Sequence, residues 1–199
     1  DKTIGRFKMA KEYQHRFFKK AKNWGLRSLF FVLLGFLLGI LSKWMDIIPP
    51  KQFGFWGPLF SAGAEIFSRI NIWILLAVWI AVRSKTPLQA ALSAFLFFSS
   101  MLTGYYGYAE WADAYYSIPY VIGWSVAAVC TPVFAALSWY TTQKGRVPSI
   151  LRMGITSCMI FTSFRLGGRI FIPDLALSFL MMILLFSKKS FLKRPHFNF

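Results

Sequence analysis

Residues 28–186 consist of long apolar runs that are separated by short charged or aromatic connections. The six runs lie at about residues 28–45, 59–82, 87–106, 118–140, 148–164 and 170–186. A helix needs about 20 mostly apolar residues to cross the ~30 Å hydrocarbon core of a bilayer. Inside that core a helix satisfies all of its own backbone hydrogen bonds. The pattern therefore predicts an all-α, polytopic integral membrane protein with six transmembrane helices, which form one domain over residues 28–187.

The second run reaches the required length only if its helix begins near Leu59. That start places Glu65 four residues before Arg69 on one continuous helix. A carboxylate followed by a cation at this spacing is the favourable order for an ion pair on a helix surface. We therefore expect the two residues to pair in the outer half of the second span.

Both ends of the chain are basic. Residues 1–27 carry nine Lys or Arg, and aromatic residues such as Phe7, Tyr13, Phe17 and Trp24 recur at helical spacing. This pattern predicts an amphipathic helix in the cytoplasmic interface, bound to anionic lipids. A disordered basic tail, or a helix that docks on a partner, is the alternative. Residues 188–199 form a second basic cytoplasmic tail.

The distribution of charge predicts the orientation. An even number of spans places both termini on one side, and that side holds eighteen of the 23 Lys and Arg. Basic residues accumulate on the cytoplasmic side of membrane proteins, so both termini are expected in the cytoplasm of a bacterium, at its plasma (inner) membrane. The net charge of +16 flanks the apolar runs and does not form one basic face, so we expect no nucleic-acid partner.

One connection is dominated by tyrosine. The segment from Tyr105 to Tyr120, YYGYAEWADAYYSIPY, holds six of the chain's eight tyrosines, a tryptophan and two carboxylates. Amphipathic rings of this kind concentrate at the membrane–water boundary, where the ring is in the headgroup region and the polar tip is in water. The segment is therefore expected at the outer membrane surface.

Charged residues at the outer ends of the spans are the candidates for a ligand site. Ionisable groups within spans are costly and usually functional, and aromatic walls with a few fixed charges suit a small molecule. Lys43 and Asp46 should lie at a similar depth. The candidate ligand-binding residues are Glu65, Arg69, Tyr105, Glu110, Trp111, Asp113, Tyr116, Arg165, Arg169 and Asp174. The alternative is that the charges only form interfacial ion pairs that fix the helix ends.

The first span contains a G-x-x-x-G pattern at Gly35 and Gly39. Two glycines on one helix face allow another backbone to approach closely. The approaching helix belongs either to the same chain or to a separate protein, and the pair is therefore our candidate partner interface.

Patterns typical of catalysis or of metal binding do not occur. Both histidines, His15 and His196, lie in the basic ends, and the chain contains no nucleophile or phosphate-loop motif. Cys130 and Cys158 each lie inside an apolar run, where a small packing residue is the simplest interpretation. We expect no enzymatic activity, no cofactor and no metal.

The run FLFFSSMLTGYYGY, followed by a Pro-Tyr…Trp entry into the next span, resembles small six-span bacterial membrane families without an assigned function. In architecture the chain is also similar to the substrate-binding S components of energy-coupling-factor vitamin transporters. The resemblance implies six helices, cytoplasmic termini and outer loops that close over a ligand. It also implies a first helix with small residues, often alanines, against a transporter core; this chain has Gly35 and Gly39 instead.

These observations favour a small-ligand binding or transport component that works with transporter subunits or as a homo-oligomer. The first alternative is an accessory, regulatory or immunity-type membrane subunit without a ligand of its own. The second is a membrane enzyme that acts on lipid.

Overall fold

The computed structural model describes residues 2–164 and 171–187. Within these ranges the chain forms seven α-helices and no β-strand element. The helices are α1 (Lys2–Ile47), α2 (Gly57–Phe67), α3 (Ile70–Arg83), α4 (Pro87–Trp111), α5 (Ile118–Tyr140), α6 (Arg146–Thr162) and α7 (Ile172–Phe186). A short 3-10 helix, Pro50–Trp56, precedes α2. The all-α prediction is confirmed.

Three helices are long and apolar enough to cross a membrane: the part of α1 from Trp24 to Ile47, α4 and α5. The number becomes four if the segment from Lys51 to Phe67 and α3, which are bent by 64° relative to each other, count as one span. The remaining helices are shorter, with 17 residues in α6 and 15 in α7. At ~1.5 Å per residue they extend about 22–26 Å, which is less than the ~30 Å core.

The first helix continues through the boundary expected near residue 27. The structure has one helix from Lys2 to Ile47, and its apolar part begins at Trp24. The predicted division between an amphipathic segment and a span is therefore a change of composition along a single helix. It is not a helix end.

The prediction of one unbroken helix over residues 59–82 is wrong. The helix α2 ends at Phe67, and Arg69 has an extended backbone, with φ −101° and ψ 151°, immediately before α3. Glu65 and Arg69 are thus on opposite sides of a break and do not have the geometry of a helical i,i+4 pair. Arg69 instead forms an ion pair with Asp174 of α7.

Hydrogen bonds to the end of α2 stabilise this break. The indole Nε1 of Trp73 donates to the carbonyl of Phe67 at 2.9 Å. The hydroxyl of Ser68 donates to the carbonyl of Ala64, also at 2.9 Å. The carbonyl of Phe67 has no partner within a helix that ends here, whereas that of Ala64 also accepts the backbone N–H of Ser68 at 3.0 Å. A hydrocarbon environment would make an unpaired carbonyl costly.

The contact between α1 and α4 is very close because glycines form it. A Cβ atom at Gly35 would overlap the carbonyl oxygen of Phe97, and one at Gly39 would overlap that of Met101. From the other side, a Cβ at Gly104 would overlap the carbonyl of Phe36. The G-x-x-x-G pair is therefore filled by α4 of the same chain, and its assignment as an interface with a separate protein is wrong.

The centre of the molecule is α3, which contacts α4 and α5 on one side and α6 and α7 on the other. Trp73, Ile80 and Ala81 belong to the larger core cluster with Phe97 and Phe98 of α4. The other side of α3 joins a smaller cluster, which consists of Leu75, Val78, Val82, Met159, Met181 and Leu185. The helices α6 and α7 are thus attached to the rest of the protein mainly through α3.

We expect Gly39→Ala to destabilise the fold, because the added methyl group would meet backbone atoms of α4 that cannot turn away. Overpacking of this kind costs about 1–3 kcal/mol. Gly123→Ala is the matched control, since a Cβ there meets nothing within 4 Å. Thermal unfolding in detergent should show a lower midpoint for Gly39→Ala only. Equal midpoints for the two variants would contradict the close contact.

Candidate functional site

A cavity of about 360 Å³ lies where the ends of α1 and α4 meet the start of α5 and the break between α2 and α3. Its wall is mainly aromatic and includes five tyrosines. The aromatic lining residues are Phe67, Trp73, Tyr105, Tyr106, Tyr115, Tyr116, Tyr120 and Trp124. Tyr115 and Tyr120 are largely exposed, so the cavity reaches the protein surface on their side.

The chain reversal after α4 brings Tyr115 and Tyr116 to this cavity. Asp113 has a left-handed backbone with φ 49°, a conformation that Asp and Asn tolerate better than most residues. The N–H of Ala114 then donates to the carbonyl of Ala109 at 2.9 Å, as in a helix that ends in a Schellman motif. The local role of Asp113 is therefore to end α4 and turn the chain back over the cavity.

Lys43 enters the cavity wall because it continues the glycine face of α1. It follows Gly35 and Gly39 at intervals of four residues, which places all three on the side that faces α4. The side chain of Lys43 is only 5% exposed. Its Nζ donates to the carbonyl of Tyr115 at 2.9 Å and lies 5.2 Å from the centroid of the Tyr105 ring. At that distance the ring face attracts the ammonium group.

Asp46, one turn after Lys43, connects three elements at the edge of the cavity. Its Oδ2 accepts a hydrogen bond of 2.7 Å from the hydroxyl of Tyr105 on α4. Its Oδ1 lies 3.2 Å from the hydroxyl oxygen of Ser68 at the break before α3, and it shares the one proton of that hydroxyl with the carbonyl of Ala64. The side chain is exposed, and both of its oxygens already have donors within the protein.

Only some of the predicted rim residues line the cavity. Tyr105 and Tyr116 do so, as do Lys43 and Asp46. Glu110 accepts a hydrogen bond from the Tyr116 hydroxyl. This bond raises the pKa of Tyr116, because the carboxylate favours the protonated phenol and opposes the charge of a phenolate.

The other predicted residues of this segment surround the cavity without lining it. Trp111 is 79% exposed, and its ring packs beside Tyr108 at a centroid distance of 5.5 Å. Glu110 and Asp113 are exposed, and Glu65 is half-buried on α2. Arg165 and Arg169 lie outside the described residues.

Arg69 and Asp174 belong to a second polar cluster, which is distinct from the aromatic cavity. Asp174, in the first turn of α7, is completely buried. The guanidinium group of its partner Arg69 lies 4.6 Å from the centroid of the Phe171 ring. Neither charged residue is among the described residues that line the cavity. The single pocket expected from the sequence is thus two distinct polar sites.

The second cluster also contains a polar bridge between α3 and α6. The hydroxyl of Thr162 donates to Oδ1 of Asn71 at 2.5 Å, and Nδ2 of Asn71 donates to the carbonyl of Met159 at 3.4 Å. Asn71 is 1% exposed, and Oδ1 of Asp174 accepts no hydrogen bond from the described residues. Asn71 was not among the residues predicted from the sequence, although an amide in a run that is otherwise apolar is a signal for such a contact.

Basic residues at the opposite end of the bundle cap helix C-termini. An Nη atom of Arg27 donates to the carbonyl of Arg83 at 2.8 Å. Arg152 donates to the carbonyls of Thr141 and Gln143 at 2.7 and 2.8 Å. Cations are favourable beside these carbonyls, where the helix dipole is negative. These contacts hold the ends of α3 and α5 and give this face a structural role.

Residues with metal-binding side chains do not cluster in the described part of the chain. Cys130 and Cys158 are free thiols. Both are exposed on the helix surfaces.

We expect Asp174→Leu to destabilise the protein strongly, because it leaves the Arg69 guanidinium group without its carboxylate. Breaking one side of a buried ion pair costs about 3–5 kcal/mol, whereas replacing both partners by apolar residues is often neutral. The double variant Arg69→Met/Asp174→Leu should therefore recover stability relative to Asp174→Leu. Thermal unfolding of the two variants and of Arg69→Met tests the coupling. Additive losses would show that the two charges do not stabilise each other.

Comparison with known proteins places the chain in a family but assigns no activity. No curated protein and no solved structure matches it, so similarity to the S components has no support beyond the sequence patterns. A family model matches residues 19–159. The matched region contains every residue of the cavity wall but excludes Asp174 and the rest of α7. The chain belongs to a family of unknown function (DUF6518).

Proposed function

We propose that this protein is an integral membrane binding component that captures a small ligand in the tyrosine-lined cavity. The observation that carries the proposal is the cavity itself, which combines aromatic walls with the buried ammonium group of Lys43. Its volume of about 360 Å³ falls within the range of about 300–1,000 Å³ that is common for small-molecule sites. Binding without catalysis is the simplest chemistry for this set of side chains.

The proposal includes six crossings of a bacterial plasma membrane, with both termini in the cytoplasm. The bent pair α2–α3 would form the second span, and α6 and α7 would form short fifth and sixth spans. A bilayer accommodates short spans by local thinning or by snorkelling of the flanking residues. The excess of Lys and Arg on the side of the termini supports this orientation, which places the cavity at the outer surface.

A binding component of this kind would deliver its ligand to a transporter subunit or act as a homo-oligomer. Gly35 and Gly39 are unavailable for that contact because α4 covers them. The outer face of α5 offers an alternative, since Val129, Val133 and Phe134 are each more than 60% exposed. Either lipid or an apolar partner surface would cover such side chains.

Native mass spectrometry of the protein, extracted gently from its own membrane, tests the binding function. We expect a small molecule to be retained by the wild type and lost, by about tenfold or more in occupancy, from Ser117→Trp, which places a large ring at the cavity wall. Ser117 precedes α5 without a side-chain capping bond, so the substitution removes no cap. Ser61→Trp, at an exposed position on α2, is the control and should retain the ligand.

The contrary result is also informative. A wild-type protein that carries no small molecule and is extracted in complex with other subunits would refute the binding function. It would favour the accessory-subunit hypothesis.

A further inference from the structure

We propose that the ligand of this cavity carries an anionic group, a carboxylate or a phosphate, and that Lys43 binds it. This inference rests on the proposed binding function and specifies its chemistry. It is carried by the burial of Lys43, by the bonds that its ammonium group makes, and by the charges that face it.

Lys43 is buried and has no counter-ion among the described residues. A lysine that is only 5% exposed has lost most of the water that solvates a charge, and such a loss is normally compensated by an ion pair. Among the described residues Lys43 forms no salt bridge; the ion pair that the structure shows there joins Arg69 to Asp174. The binding of an anion would supply the missing partner.

The ammonium group of Lys43 also has N–H donors that the described part of the protein does not use. An ammonium group has three N–H donors. One is used by the carbonyl of Tyr115, and the Tyr105 ring provides a face rather than an acceptor. Donors therefore remain for a ligand, and Lys43 borders the cavity in which a ligand would lie.

The carboxylate of Asp46, which also lines the cavity, does not form an ion pair with Lys43. Its two oxygens accept hydrogen bonds from Tyr105 and Ser68. It stabilises the junction of α1, α4 and the break before α3. Those hydroxyls are neutral and hold the carboxylate at this junction, so the Lys43 ammonium group has no ion-pair partner among the described residues.

Five tyrosine rings in one wall would by themselves also suit a cation, because ring faces attract positive charge. In this cavity the face of Tyr105 is already near the Lys43 ammonium group. A second cation there would be repelled by a charge that water screens poorly. The tyrosines are thus better placed to stack on the apolar or aromatic body of an anion.

Three probes of similar size and different charge test the inference: benzoate, benzyl alcohol and benzylamine. The full-length protein in phosphatidylcholine nanodiscs is titrated with each, and affinity is measured by calorimetry and by the shift of the unfolding midpoint. We expect benzoate to bind at least about tenfold more tightly than the neutral and cationic probes, as a charged hydrogen bond at a buried site implies.

The same titrations on variants show whether Lys43 is responsible. Lys43→Met keeps an unbranched apolar side chain and removes the charge, and it should weaken benzoate binding by about tenfold or more. Lys43→Arg should retain the preference for the anion. Lys51→Met, at an exposed position on the 3-10 helix, is the matched control and should change nothing.

The source of the anion is distinguished by lipid composition. If phosphatidylglycerol in the nanodisc displaces benzoate from the wild type but has no effect on Lys43→Met, the site takes an anionic lipid headgroup. If benzoate binds the wild type equally in both lipids and binds Lys43→Met more weakly, the ligand is a soluble anion. Either result supports the role of Lys43.

Two results would overturn the charge assignment and leave the binding function intact: a preference for benzylamine or benzyl alcohol, or a preference for benzoate that survives in a folded Lys43→Met protein. A protein that binds none of the probes and retains no molecule from its membrane would overturn the binding function and this inference together. Failure of the inference alone is thus distinguishable from failure of the function.

Discussion

The close contact between α1 and α4 is the constraint on which the rest of the structure depends. Because Gly35 and Gly39 have no side chains, the backbone of α4 lies directly on α1. The next residue on this face is Lys43, two turns beyond Gly35. The same contact holds its ammonium group beside the ring of Tyr105. Without the glycines the helices would separate, and the lysine would not be held against the tyrosine wall. The packing motif therefore also determines the electrostatics of the cavity.

The break between α2 and α3 is the second determining feature. In a continuous helix, the side chains of Phe67, Ser68 and Arg69 would be spaced at regular helical angles around one axis. The break instead lets Ser68 face Asp46 at the cavity, while Arg69 turns towards Asp174 on α7. One discontinuity thus supplies polar groups to two different sites. In a membrane such unwound backbone is tolerated where it is buried in protein or lines a cavity, and Ser68 of this break lines the cavity.

The two sites differ in whether their charges are compensated within the protein. In the α3–α6–α7 cluster, the charges of Arg69 and Asp174 compensate each other within the protein, which is appropriate for a structural contact. In the aromatic cavity, Lys43 has a carbonyl and a ring face as neighbours but no ion-pair partner among the described residues. An uncompensated charge beside open volume is the property expected of a binding site, whereas a compensated one requires no ligand. This difference is the reason to assign function to the cavity.

Local chemistry determined much of this protein from the sequence alone. The apolar runs predicted the α-helical architecture, because a helix satisfies its backbone within its own segment. The tyrosines from Tyr105 to Tyr120 predicted where aromatic side chains would gather, since their composition suits a boundary. The cavity wall includes five tyrosines from that segment. These features depend on neighbours in sequence and can be read without a fold.

Tertiary structure decided what depends on distant partners. The sequence showed a glycine pair but not whether Phe97 and Met101 or another protein would cover it. It placed Arg69 beside Glu65, whereas the helix breaks and Arg69 pairs with a residue 105 positions away. It identified Lys43 as a charge near the end of a span, but its burial follows from the approach of α4 and the return of Tyr115. Burial and pairing are properties of three-dimensional neighbours, so only the folded chain could distinguish the ion pair of Arg69 and Asp174 from a buried lysine that has no ion-pair partner among the described residues.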